Sequence, residues 1–163
     1  MQHLREVDRI AGEFERACAG DPWYGPPVKS ILAGIDATAA VSRPIAGAHS
    51  ICEIVLHMTG WVREVARRLR DGIAREPEQG DWPACTVRTE SDWQAVVAGL
   101  DAANAELVAA IRAADDARLA EYVGDAREPA LGTGVTRYVT LHGIVQHQVY
   151  HAGQISLLKK LVS

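Results

Sequence analysis

His147 and His151 stand four residues apart in a segment whose apolar residues recur at helical spacing. Side chains four residues apart on a helix project from one face, so two imidazoles at this spacing can bind a single metal ion. Two core histidines satisfied by hydrogen bonds would show the same pattern. The pair alone is weak evidence for a metal site, but burial supports it, because buried imidazole nitrogens need partners and one ion supplies a partner to both.

His57 offers a third imidazole from a different helix. It lies at mid-length of a second long apolar segment, where a facing helix would bring it to the same ion. Three neutral imidazoles leave one coordination position for water or substrate, as in catalytic zinc sites. The predicted metal ligands are therefore His57, His147 and His151. We expect zinc or nickel, with iron and manganese as alternatives, since imidazole suits several divalent ions.

A general base is less evident than the ligands. The run from His147 to His151 is like the His-Glu-x-x-His helix of zinc peptidases, but Gln148 replaces the glutamate and cannot accept a proton. Glu53, one turn before His57, is a weak candidate for a catalytic base, and capping a helix is its alternative role.

Other side chains near the pattern are interpreted as structural. Tyr150 and Gln154 either orient an imidazole or only pack beside it. Tryptophans 61, 82 and 93 are expected to anchor the core or the loops, with pocket lining as the alternative. The remaining histidines are not expected to join the cluster: His3, His49 and His142.

Four long segments with helical apolar spacing must position these residues. Ser50 and Glu53 form a capping-box pattern at the start of the second helix. Two short helical pieces, at 28–32 and 37–41, fall in a proline-containing connection that should cross one end of the bundle. We predict an all-α four-helix bundle, one domain over 1–163, with long helices from Leu4 to Ala19, from Ser50 to Asp71, from Thr89 or Ser91, and from Val135 or Thr136 almost to Ser163.

Composition narrows the class of protein. The 163 residues are 48% apolar and 23% charged, as in soluble globular domains. A formal charge of -4 with scattered Lys and Arg disfavours nucleic acid, and no apolar run is long enough for a membrane span. The start carries no signal-peptide pattern, so we expect a cytoplasmic location. The three cysteines lack close spacing and are expected to be buried or idle thiols.

Two stretches resemble the DinB-like (DinB/YfiT) family of metal-dependent proteins. Residues 47–61, GAHSICEIVLHMTGW, are similar to its second-helix motif, and residues 142–155, HGIVQHQVYHAGQI, to its last-helix signature. The resemblance implies a four-helix bundle, often dimeric, whose metal is held by one histidine of the second helix and two of the last. Matched position by position, those ligands are His57, His147 and His151.

The resemblance also implies candidate activities. Some relatives look like thiol S-transferases that use bacillithiol or mycothiol, so we expect a metal-dependent enzyme acting on a small molecule with a low-molecular-weight thiol. Hydrolysis of a small amide by water activated at the metal is the nearest variant. The alternative is a non-catalytic metal-binding or stress-response protein in which the ion ties two helices together. A homodimer is expected, and the family name carries no implication of DNA binding.

Overall fold

The structure of the protein is a computed structural model that describes residues 4–124 and 129–162. These ranges are helical, without a strand, and contain one isolated bridge between Tyr122 and Thr136. The predicted all-α class is confirmed, while His3 lies outside the described residues. The helices are α1 Glu6–Ala19, α2 Val28–Leu32, α3 Ala37–Val41, α4 Ile51–Asp71, α5 Glu90–Ala113 and α6 Arg137–Val162, with short 3-10 turns at Asp116–Arg118 and Pro129–Leu131.

The four long helices form a bundle in which each packs on two neighbours. Helix α4 lies against α5 and α6, and α1 lies against the same two helices, so α1 and α4 occupy opposite corners. Helix α2 contacts α1 and α6, whereas α3 contacts α4 and α5. The predicted crossover at one end of the bundle is therefore confirmed.

Local signals fix the register of α4. The Ser50 side chain accepts from the Glu53 backbone N–H while the Glu53 carboxylate accepts from the Ser50 N–H, which is the predicted capping box. Gly72 ends the helix in the left-handed conformation at φ 71°, where glycine carries no Cβ penalty. The start of α4 is therefore fixed, and with it the position of His57 about two turns into the helix.

The apolar faces of the long helices form the core. Val55, Met58 and Val62 of α4 are fully buried, and Ile155 of α6 is as well. Leu4, where the first long helix was predicted to begin, is 61% exposed. Helix α1 begins only at Glu6, so Leu4 precedes the helical periodicity that would turn it inward.

Helix α5 is, among the described residues, the one helix long and apolar enough to cross a membrane on length and composition. In this fold it supplies Trp93, Leu100, Leu107 and Ile111 to the buried core. The Trp93 indole N–H donates to the Ile35 carbonyl at 2.7 Å, which confirms its expected anchoring role. These contacts are those of a core helix in a helical domain.

A disulfide joins Cys52 to Cys85, which corrects the expectation that the cysteines are idle thiols. The two residues are 33 positions apart, but the connection between α4 and α5 folds back over the start of α4 and brings their Cα atoms to 6.1 Å. Cys52 is fully buried and Cys85 is half-buried. Cys18 remains a buried free thiol as expected, and burial raises its pKa to about 12.

Candidate metal centre

The three predicted histidines meet between α4 and α6. The Nε2 atom of His147 lies 2.9 Å from Nε2 of His57 and 3.1 Å from Nε2 of His151. His57 and His151 are only 5% and 4% exposed, and His147 is half-buried. Two successive turns of α6 thus deliver two imidazoles to the point that α4 reaches with one.

Hydrogen bonds on the far side of two rings fix their tautomers. His57 Nδ1 lies 2.6 Å from the Asp81 backbone carbonyl, which only accepts, so Nδ1 must donate. His151 Nδ1 lies 2.6 Å from Gln154 Oε1 and donates in the same way. In neutral rings both Nε2 atoms therefore present lone pairs toward His147.

His147 cannot satisfy these two lone pairs by itself. A neutral imidazole has a single N–H, so its Nε2 can donate to at most one neighbour. Its Nδ1 is buried without a hydrogen-bond partner in the described part of the chain. A cation at the common focus of the three Nε2 atoms would satisfy all of them, and an all-imidazole donor set suits zinc and similar divalent ions.

Burial keeps all three rings in the form that binds metal. It lowers the pKa of His147 to about 3, with His151 and His57 adding to the effect by charge repulsion. Burial also lowers the pKa of His57 and of His151, although the hydrogen bonds that they donate to Asp81 and Gln154 oppose it. Neutral imidazoles need not lose a proton before they coordinate an ion.

The same pKa shifts predict acid sensitivity of the metal-free protein. Below the ordinary histidine pKa of 6.5, His147 binds a proton in the unfolded chain, whereas in the folded protein it stays neutral until about pH 3. The stability of the folded protein therefore falls as the pH falls through this window. As the pH falls from about 7 to about 5, His147 alone should lower the free energy of unfolding, measured with urea, by up to about 2 kcal/mol. The His147→Gln variant should show a smaller loss, and equal losses in both proteins would contradict this account.

Residues of the α4–α5 connection support His57 from two sides. The Trp61 indole N–H donates to Asp81 Oδ1 at 2.7 Å, which holds the Asp81 segment beside the His57 ring. Trp82 stacks on His57 with ring centroids 3.9 Å apart, and its other face stacks on His49 at 3.6 Å. The expected role of Trp82 as a loop anchor therefore extends to the histidine cluster itself.

Sequence reasoning missed His49 and the Asp81 carbonyl as neighbours of the cluster. The stack of His49 on Trp82 is a contact made across a loop, whereas the approach of 3.8 Å between His49 Nδ1 and Glu53 Oε2 joins residues four positions apart at the start of α4. In the sequence, the one signal that pointed to these contacts was the aromatic turn at 81–83 within a polar connection. His142 stays apart beside Tyr138 and Glu13, as expected.

Glu53 has partners at both carboxylate oxygens. Oε2 accepts from the backbone N–H and the hydroxyl of Ser50, and Oε1 pairs with the Arg43 guanidinium. Burial acts to raise the pKa of Glu53, but these bonds outweigh it and hold the pKa below its ordinary value. No carboxylate or cysteine joins the three histidines within the described ranges, so the remaining side of the cluster has no protein ligand there.

Comparisons with known proteins agree with this geometry. A sequence model of the DinB superfamily matches residues 28–155, which include all three histidines. The solved structure of a conserved protein from Enterococcus faecalis is similar over 98% of each chain with a TM-score of 0.71, and its 16% identity makes this a likeness of fold alone. No curated protein matches significantly. Because the family match spans well over half of its length, this chain belongs to the DinB superfamily.

Proposed function

We propose that this protein binds one divalent metal ion through His57, His147 and His151 and acts as a metal-dependent enzyme on a small molecule. The observation that carries the proposal is the convergence of three Nε2 atoms, two of them with lone pairs fixed by donors on the opposite ring nitrogen. Such outer partners orient ligating histidines in metal proteins. Zinc or nickel is the expected ion, with iron or manganese as alternatives.

The bound ion would supply Lewis acidity, which lowers the pKa of a coordinated thiol or water. Burial keeps the three imidazoles neutral, and the Asp81 carbonyl and the Gln154 amide orient His57 and His151. Both oxygens of Glu53, the weak candidate base, are already engaged by Ser50 and Arg43. A site without a free base favours thiol S-transfer with a low-molecular-weight thiol. Hydrolysis of a small amide is the second candidate activity.

A purely structural ion is the rival function. It would be favoured by a fourth protein ligand, and the described residues supply none beside the three histidines. A cavity that includes His151 lies next to the cluster, as an enzyme requires.

The activity is tested with zinc-loaded protein, a low-molecular-weight thiol and a panel of electrophiles. We expect thiol consumption above the uncatalysed rate, lost on chelation and restored by zinc. A parallel panel of small amides tests hydrolysis. Silence in both panels at full metal loading would support the structural ion.

Gln154 provides a sharper test of the site itself. Its Oε1 accepts the His151 N–H, and removal of such outer partners costs about 10- to 100-fold in metal affinity. Gln154→Ala should therefore weaken zinc binding by that factor in a chelator competition. The matched control is Gln146→Ala, an exposed position on the same helix, which should bind zinc like the unchanged protein. Equal affinities of the two variants would count against the proposed orientation of His151.

The proposal includes a cytoplasmic homodimer without nucleic-acid or membrane partners. Trp23 is fully exposed and Tyr24 is 45% exposed, beside a cavity of about 510 Å³ that Val145 and Val149 of α6 also line. Exposed aromatic patches of this kind mark association surfaces. Sedimentation equilibrium of the protein beside Trp23→Ser measures whether a dimer forms through this patch.

A further inference from the structure

A cavity of about 320 Å³ adjoins the histidine cluster and shares His151 with it. We call it the apolar cavity. His151 and Trp82 both line it, and Trp82 is the residue stacked on His57. A single molecule can therefore occupy the cavity and reach the focus of the three imidazoles. Larger cavities of about 450, 510 and 630 Å³ are lined by none of the three histidines.

The walls of the apolar cavity are mainly aliphatic and aromatic, and Gln154, His49 and His151 are the polar side chains beside them. Ile45, Ile54, Leu157 and Leu158 line it, and none of the described lining residues is Lys, Arg, Asp or Glu. A charged group placed there would lose its hydration without gaining an ionic partner, which is costly. The apolar cavity therefore disfavours charged groups and favours hydrocarbon groups.

The size of the apolar cavity and the rigidity of one of its walls suit a substituent of a small substrate. Ligand pockets usually measure roughly 300–1,000 Å³, so this one has room for an alkyl chain or one aromatic ring beyond the reacting group. Trp82 lies inside the loop that the Cys52–Cys85 disulfide closes, and its ring is held between His49 and His57. One wall of the cavity is therefore formed by a ring that is held in place.

We infer that the apolar cavity binds an uncharged alkyl or aryl substituent of the substrate whose reacting group lies at the metal. The inference rests on the proposed function, because it takes the three histidines as the metal site. It adds the substrate class: a small molecule with a metal-binding head and a neutral apolar tail. Leu157, at the rim of the cavity and 64% exposed, helps to decide which tails fit.

The test uses straight-chain hydroxamates, in which the head group chelates zinc and the tail varies. Isothermal titration of zinc-loaded protein should show weak binding of acetohydroxamate and an affinity that rises about two- to fourfold with each added methylene, until the cavity is full. Adipic monohydroxamate carries a carboxylate where hexanohydroxamate carries its terminal methyl group. It should bind no more tightly than acetohydroxamate.

Two matched variants locate the effect. Leu157→Glu should abolish the gain with chain length, measured as the ratio of the hexanohydroxamate affinity to the acetohydroxamate affinity. Leu161→Glu is the control, since Leu161 lies one turn further along α6, is 57% exposed and lines a different cavity. Neither side chain belongs to the buried core, so both variants should fold.

The outcomes separate this inference from the proposed function. If acetohydroxamate binds but longer tails add no affinity, or if Leu161→Glu removes the gain as fully as Leu157→Glu, the substrate class is refuted while the metal site stands. If the protein takes up no zinc and acetohydroxamate does not bind, the proposed function fails and takes this inference with it.

Discussion

Replacement of His57 by alanine should lower the affinity for zinc at least 100-fold. The loss must exceed the roughly 10- to 100-fold effect of removing an outer partner, because His57 supplies the one ligand that comes from α4. Without it the remaining pair lies on successive turns of a single helix, and the ion no longer joins two helices. Competition with a chromophoric chelator measures the change.

His142→Ala is the matched control for this substitution. His142 lies on α6, five residues before His147, and contacts Tyr138 and Glu13 instead of the cluster. It should bind zinc like the unchanged protein. Circular dichroism should show that both metal-free variants keep their helical content, since alanine favours helix. A His57→Ala protein that retains full zinc affinity would remove the basis of the proposed site.

Loss of the disulfide should destabilise the protein by about 3–4 kcal/mol. A cross-link between residues 33 positions apart removes loop-closure entropy from the unfolded chain, and this magnitude follows from the loop length. Cys85→Ser is the better variant, because Cys85 is half-buried while a serine at fully buried Cys52 would place a hydroxyl in the core. Urea unfolding measures the difference.

A reducing agent supplies the control for the disulfide. It should lower the stability of the unchanged protein to that of Cys85→Ser and leave the variant unaffected. Equal stability of the unchanged protein with and without reductant would show that the two sulfurs are not joined in solution. Because Asp81 and Trp82 lie within the closed loop, zinc affinity of the same samples reports whether the loop also supports His57.

The parts of the fold that follow local rules could be predicted from the sequence. The Ser50–Glu53 capping box fixes where α4 starts, and helical periodicity then places His57 beside the core stripe. The four-residue spacing of His147 and His151 puts both on one face of α6. These signals depend on neighbours within one or two turns, so one sequence is enough to recognise them.

The parts that depend on the connection between α4 and α5 could not be predicted in this way. The segment has no periodicity, so nothing local says that Cys85 returns to Cys52 or that Trp82 stacks between two imidazoles. His57 donates to a backbone carbonyl, a group that every residue type carries, so the residue type at position 81 does not reveal this contact. Such contacts are set by the path of the chain through space.

X-ray absorption at the zinc edge of stoichiometrically loaded protein identifies the atoms bound to the ion. We expect one ion per chain with three imidazole nitrogens at about 2.0–2.1 Å and a light-atom ligand in the remaining position. A first shell that contains sulfur at about 2.3 Å, or fewer than three imidazoles, would show that the ion is held elsewhere. Either result would contradict the convergence of His57, His147 and His151 on one metal.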